Sequence, residues 1–317
     1  MTQIRSSHAL YRLDTLKPGG LPPLAVAIGV FDGVHLGHQA LLADAREAAA
    51  KTGATPAALT FDPHPAAIFA PGRVPPMLGT LEERIALLHR HGAEVVVVAS
   101  FDRVLAAQTP GEFARRILRD TLQARAVIVG GDFRFGCDRT GDIVALRALG
   151  AQEGFAVQVV PPVFVHGVPA RSTGIRQMVG GGQMAEATRL LGRPYTLSGM
   201  VVHGRKLGRT LGYPTANVES APAVLVPGAG VYACRVRLED GTLHRAAVSV
   251  GTNQTIAPDA PRTVEAFLMD GFSGDLYDQR MAVEFVQLLR PMLKFDGLDA
   301  LVAQMARDVD EAAGFLG

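Results

Sequence analysis

Between residues 24 and about 160 the chain alternates short apolar runs with helical patterns, and that alternation leaves few folds open. The runs are "LAVAIGVF", "PAALTF", "EVVVVAS", "ARAVIVG" and "FAVQVV"; between them lie "LGHQALLADAREAAAK", "TLEERIALLHRHG", "TPGEFARRILRDTL" and "GDIVALRALGAQEG", each long enough for one crossover helix. Strands that are apolar throughout and separated by helices predict a parallel sheet covered on both faces, a doubly wound α/β domain.

Past Arg171 the texture changes. Helical "IRQMV" and "QMAEATRLLG" flank the triplet Gly180-Gly181-Gly182, which places a domain boundary near residue 185 and divides the chain into 1–185 and 186–317. Downstream, "YTLSGMVVHG", "GVYACRVRL", "LHRAAVSVG", "TVEAFLM" and "MAVEFVQLL" read as strands joined by Gly, Asp and Pro turns. In one of them Tyr232, Cys234, Val236 and Leu238 share a face opposite Arg235 and Arg237. That period of two predicts an antiparallel sheet or small barrel. From Asp296 onward Leu298, Leu301, Val302, Met305, Val309 and Ala312 recur at three- and four-residue steps, so a final helix is expected to pack against the barrel.

Composition narrows the function. A formal net charge of +1 speaks against a broad nucleic-acid or membrane surface, each of which needs a concentrated positive field. No apolar signal core opens the chain and no run reaches membrane-helix length, so a cytoplasmic protein is expected. Cys137 and Cys234 fit no metal or redox spacing and read as free thiols. Nothing in the sequence fixes whether copies of the chain associate.

The stretch "GVFDGVHLGH" stands where an apolar strand ends and a helix begins near Gly37. Ligands of open parallel sheets sit at the carboxyl ends of strands. The first amides of a helix favour an anion there. Gly29, Gly33 and Gly37 keep the turn around Phe31 and Asp32 free of bulk, and His35 and His38 can donate hydrogen bonds to phosphate oxygens, the alternative for either being a helix cap or a satisfied core residue. Two such donors stabilise charge that grows in a displacement at phosphorus. No P-loop sequence occurs, and "GAGVYA" leads into a strand where a dinucleotide fingerprint needs a helix.

These residues resemble the His-x-Gly-His signature of the nucleotidyltransferase superfamily. "TFDPHP" (Thr60 to Pro65), "GGDFRFG" (Gly130 to Gly136) and "RSTGIR" (Arg171 to Arg176) resemble further motifs of the FAD synthetase module of bacterial bifunctional riboflavin kinase/FAD synthetases. The resemblance implies that His35 and His38 act on the ATP phosphates and that Ser172, Thr173 and Arg176 hold the triphosphate. It also implies that Phe61, Pro63 and Asp132, with Phe133 and Phe135, border the flavin. On physical grounds alone Asp132 is a ligand or a turn cap, and the two phenylalanines stack on a flavin or fill the core. Arg171 and Gly174 stand where the family usually has serine and arginine.

In "GMVVHGRKLGRTLGYPTAN" the glycines Gly199, Gly204, Gly208 and Gly212 bracket Lys206 and Arg209 ahead of Pro214, Thr215 and Asn217. Backbone amides and charge there suit a phosphate tail. Thr215 and Asn217 are two apart, so on extended backbone their oxygens point the same way and suit Mg²⁺. Glu265 is the one acid in an apolar strand, where an unpaired charge is costly. "GRTLGYPTAN", "GVYACRV", "VSVGTN", "VEAFLM" and "LLRPMLKFDGLDALVAQMARD" resemble riboflavin kinase motifs in the family's order, with Gln254 and Asp278 as departures.

That second resemblance implies a six-stranded antiparallel barrel with Glu265 as catalytic base, ATP and flavin at the Gly204 to Asn217 segment, and Mg²⁺ on Thr215 and Asn217. Together the two resemblances imply a bifunctional enzyme that phosphorylates riboflavin and then adenylylates FMN. An adenylyltransferase for another phosphorylated vitamin would leave the barrel unexplained. A flavin-binding protein without activity would leave the intact catalytic groups unexplained.

Overall fold

The computed structural model describes residues 8–204, 212–251, 262–269, 271–272 and 274–317. The chain folds into two compact units: residues up to Pro75 with Leu81–Ala170, and Pro76–Thr80 with Arg171–Gly317. The division falls at Arg171, and the helices over Ser172–Gly180 and Met184–Leu191, whose turn precedes residue 185, go with the second unit.

The first unit is built on a parallel sheet of β1 (Ala9–Arg12), β2 (Leu24–Ile28), β3 (Thr55–Asp62), β4 (Val95–Ser100), β5 (Ala124–Gly130) and β6 (Ala156–Val160), in the order β1-β4-β3-β2-β5-β6. Helices α1 (Leu36–Thr52), α2 (Leu81–Arg90), α3 (Phe113–Thr121) and α4 (Ile143–Glu153) supply the crossovers. Alternation along β2 shows why both faces must be covered. Leu24, Val26 and Ile28 enter one core cluster and Ala25 and Ala27 the other, all of them nearly inaccessible to solvent. The alanines lie on the side of α1, whose Leu41, Leu42, Ala45, Ala48 and Ala49 pack into the same cluster.

From β2 the chain moves outward through β3 and β4, then returns to the other side of β2 at β5. The crevice between the ends of β2 and β5 is thus the topological switch point of the sheet. The short edge strand β1 lies outside the strands expected from the sequence. A hairpin of β7 (Phe164–Val165) and β8 (Val168–Pro169) closes the unit.

In the second unit α5 (Ser172–Gly180) and α6 (Met184–Leu191) precede a closed antiparallel barrel. It is made of β9 (Tyr195–Val202), β10 (Thr215–Ser220), β11 (Gly230–Leu238), β12 (Leu243–Gly251), β13 (Thr263–Leu268) and β14 (Arg280–Arg290), ordered β10-β13-β12-β11-β14-β9. Alternate residues fill its interior, among them Tyr232 edge-on to Phe285 at 5.2 Å between ring centroids. Cys234 lies fully buried there as a small apolar group, and burial pushes its thiol well up. Both cysteines are free.

The final helix α7 (Leu298–Leu316) lies on the outside of β11, β12 and β14, with Ala312 and Leu316 packed against Ala233 and Ala247. Among the described residues no helix is long and apolar enough to cross a membrane.

Candidate functional sites

In the first unit β2 ends at Ile28 and the chain turns at once. Phe31 takes a left-handed conformation (φ 55°), as do Gly33 (φ 75°) and Val34 (φ 39°). A β-branched residue at positive φ is a genuine outlier, and such strain persists only where surrounding structure enforces it. Here the Phe31 ring is fully buried, Asp32 is 2% exposed, and the Val34 carbonyl accepts a hydrogen bond from Gln39 Nε2 at 2.9 Å. Helix α1 then starts with extended His35 as its cap residue, so Leu36, Gly37 and His38 present the helix's first amides.

The His35 and His38 rings stack, with centroids 3.6 Å apart and planes 22° from parallel, and Phe31 meets the His38 ring edge-on at 5.1 Å. Burial first, then the charges of His35 and Arg84, hold the His38 imidazole well below its ordinary value of 6.5. Gly37 sits in close approach: a Cβ there would stand 3.1 Å from the His35 ring and 3.2 Å from the Ala170 carbonyl, so one of these neighbours would have to give by a few tenths of an ångström. A Cβ on Gly29 would make only ordinary contact with the Phe31 ring.

The loop after β5 borders the same crevice. Asp132 is exposed within it, while Phe133 and Phe135 stack at 5.5 Å. Phe135 and Phe61 are core residues, at 6% and 9% exposure, and Phe133 is packed partly against the same cluster. Phe61 meets Phe101 edge-on at 5.6 Å, and Pro63 follows β3 at the surface. Ser172, Thr173 and Arg176 fall in the second unit, on the first turns of α5, where Arg176 Nε donates to the Pro76 carbonyl at 2.9 Å.

In the second unit Thr215 and Asn217 project from the outer face of β10, because Ala216 and Val218 between and beyond them are buried. Glu265 does the same on β13 between buried Val264 and Ala266. Register sets Glu265 directly across from Asn217 on one side and from Ser249 on the other. Thr215 Oγ1 lies 3.5 Å from Glu265 Oε2, a long contact in which the hydroxyl donates. Gly204 is pressed against this group: a Cβ there would fall 2.2 Å from Asn217 Nδ2. Lys206, Gly208, Arg209 and Gln254 lie outside the described residues.

Two cavities meet at this point. One, of about 210 Å³, lies between the barrel's outer face and α7; Thr215, Ser249, Glu265, Arg290 and Asp308 are its polar lining, and Tyr213, Phe267, Met292, Phe295, Leu301 and Met305 are among its apolar walls. The other, of about 530 Å³, is lined by Gly212, Pro214, Thr215, Phe267, Phe272, Asp275 and Tyr277. Thr215 and Phe267 border both. An apolar cleft with a few convergent polar groups is the general form of a small-molecule site. Ser249 and the cavity walls from β14 and α7 were not singled out in the sequence, since an apolar helix face has the same spacing whether it fills a core or lines a cavity. Among the described residues no three of His, Cys, Asp and Glu converge on a metal site.

Comparison with known proteins agrees with this division. The FAD synthetase family model matches residues 20–174 and the riboflavin kinase family model residues 191–316. A bifunctional riboflavin kinase/FMN adenylyltransferase of Pseudomonas fluorescens is 40% identical over 285 residues, 90% of each chain. One of Haemophilus influenzae is 36% identical over 315 residues, 99% of each chain. A crystal structure described as a macrolide-efflux protein from Streptococcus pneumoniae superposes with a TM-score of 0.84 at 32% identity, over 96% of this chain and 98% of that one.

Matched end to end in sequence, and carrying a parallel-sheet unit followed by a closed barrel, the chain belongs to the bifunctional riboflavin kinase/FMN adenylyltransferase family.

Proposed function

We propose that riboflavin is phosphorylated on the barrel's outer face, its ring in the cavity under α7 and ATP in the adjoining cavity. The observation that carries this reading is that Thr215 and Phe267 border both cavities beside Glu265. The Glu265 carboxylate accepts the proton of the terminal ribityl hydroxyl as that oxygen attacks the γ-phosphorus of ATP; a P–O bond forms, the bond to the bridging oxygen breaks, and ADP leaves. The hydroxyl of Thr215 and the amide oxygen of Asn217, two residues apart on β10, are hard oxygen donors that fit Mg²⁺ and would hold it, which leaves the Glu265 carboxylate opposite Asn217 free to take the proton. When bound there, Mg²⁺ neutralises charge on the transferred phosphates.

In the first unit, a phosphate oxygen of FMN attacks the α-phosphorus of ATP and pyrophosphate leaves. His35 and His38, with the first amides of α1, donate hydrogen bonds to the triphosphate, a role supported by the ring stack and by Gly37. Asp132 and the loop after β5 border the flavin. Phe61 and Phe135 are core residues and leave little surface for a ligand. Bacterial relatives and free cysteines support a cytoplasmic setting.

The test is to incubate the full chain with ATP and either riboflavin or FMN, with and without Mg²⁺, and to resolve the flavins. FMN followed by FAD is expected from the first substrate and FAD from the second, each only with Mg²⁺. Product formation without a divalent cation would refute the metal assignment.

A further inference from the structure

The turn that presents His35 and His38 rests on a buried arginine from another element. Arg84, in the first turns of α2, is 5% exposed. Its Nη1 donates to the Val30 carbonyl at 3.1 Å, to Thr60 Oγ1 at 3.1 Å and to the Phe61 carbonyl at 2.8 Å. Thr60 Oγ1 in turn donates to the Val30 carbonyl at 3.0 Å. Val30 is the last residue before the left-handed Phe31, and Phe61 is the penultimate residue of the neighbouring strand. One guanidinium thus ties two strand ends together at the point where the chain leaves the sheet for the strained turn.

Burying a guanidinium is costly, and a structural link between two carbonyls needs no charge. Around that charge Nη2 stands 4.0 Å from Asp62 Oδ1, and Asp32 and Glu82 contribute to the field. The Nε atom is buried with no hydrogen-bond partner among the described residues. The charge is felt by the His38 ring of the adjoining turn.

We propose that Arg84 is a positioning residue of adenylyl transfer, fixing through the Val30 and Phe61 carbonyls the turn that sets His35 and His38 against the triphosphate. The proposal rests on the reading of that turn as the adenylyl-transfer site. A second consequence follows from charge. His38 is faced by His35 from its own turn and by Arg84 from α2, while Asp32, Asp62 and Glu82 surround the arginine. Burial first, and then both neighbours, oppose the protonation of His38, so the ring stays neutral at physiological pH. Its Nδ1 is buried and has no hydrogen-bond partner among the described residues. A proton there would bury an N–H with no acceptor, so Nε2 carries it and is the donor to phosphate.

Three variants of the full chain, Arg84→Lys, Arg84→Met and the double variant His35→Ala/His38→Ala, test the proposal. Lysine keeps the charge without the planar fork, and methionine keeps neither. Adenylyl transfer is expected to fall about 100-fold in kcat for Arg84→Met and about 10-fold for Arg84→Lys, with KM for ATP changing less. Riboflavin kinase activity in the same preparations should stay at the parental level. The NMR titration of the His38 ring adds a signature that loss of packing alone does not give: its inflection moves to higher pH in Arg84→Met and stays in place in Arg84→Lys.

Should Arg84→Met not fold, Arg84→Lys decides alone, and a parental kcat in that variant overturns the proposal. An unmoved His38 inflection in a folded Arg84→Met overturns the charge argument. If the double histidine variant loses adenylyl transfer while both Arg84 variants keep it, only the role of Arg84 falls. If the double variant keeps it, the cradle reading falls as well.

Discussion

Asp308 on α7 accepts two hydrogen bonds from Arg290 on β14, from Nε at 2.8 Å and from Nη2 at 2.6 Å, and a third from Gln304 Nε2 at 2.8 Å. Asp308 is 4% exposed, and both members of the pair line the cavity between the barrel and the helix. The fork therefore fixes where α7 lies and with it one wall of that cavity.

Removing one partner of such a buried pair leaves the other charge uncompensated. Asp308→Ala should destabilise the second unit by about 3–5 kcal/mol and raise KM for riboflavin, with FMN adenylylation retained. Denaturant unfolding beside flavin-dependent kinetics checks it, and an unchanged riboflavin KM would show that the helix does not form the wall.

Gly204 is the position where one methyl group should matter most. Alanine there drives its Cβ to 2.2 Å from Asn217 Nδ2 and 2.5 Å from Cγ, so the amide must swing away. Kinase turnover should fall about 100-fold and need more Mg²⁺ to reach its plateau. A Mg²⁺ titration of FMN formation reads both effects.

Glu265→Gln removes the carboxylate proposed as proton acceptor and leaves the strand register intact. FMN formation should drop by about 10²–10⁴ while supplied FMN is still converted to FAD. Loss of both activities would show that the two sites are not independent.

The converse holds for the cradle. His35→Ala/His38→Ala should make FMN accumulate from riboflavin and ATP, since the stacked rings are proposed to serve the second step alone. Chromatography of the flavins over time measures it.

His38 also links stability to pH. Its folded-state value lies well below 6.5, so as pH falls through about 6.5 the unfolded chain takes up a proton that the folded chain refuses. Stability of the first unit should therefore decline towards acid, by up to about 1.4 kcal/mol per pH unit from this group, and His38→Asn should flatten the slope. Denaturation midpoints at neutral and mildly acid pH provide the comparison.

Much of the fold was legible in the residues. "ARAVIVG" became β5 over Ala124–Gly130 and "GVYACRVRL" became β11 over Gly230–Leu238, because an apolar run between turn residues and a strict period of two each admit one backbone form. The short strand β1 escaped notice: four residues carry too little pattern, and pairing with β4 defines it. Arg84 escaped for a different reason. In "TLEERIALL" it stands beside two glutamates and reads as a solvated helix face, yet the fold turns it onto two carbonyls.

The sequence by itself determined the order of the main strands and crossover helices, the strand-to-helix turn at His35 and His38, and the extended segment carrying Thr215 and Asn217. These are local matters, set by periodicity, glycine placement and side-chain chemistry over a few residues. Only the tertiary structure decided that Glu265 stands opposite Asn217, that Thr215 borders two cavities, and that a buried guanidinium underlies the histidine turn. Those relations join residues tens of positions apart, and barrel closure, sheet order and helix docking place them together through burial that no local pattern encodes.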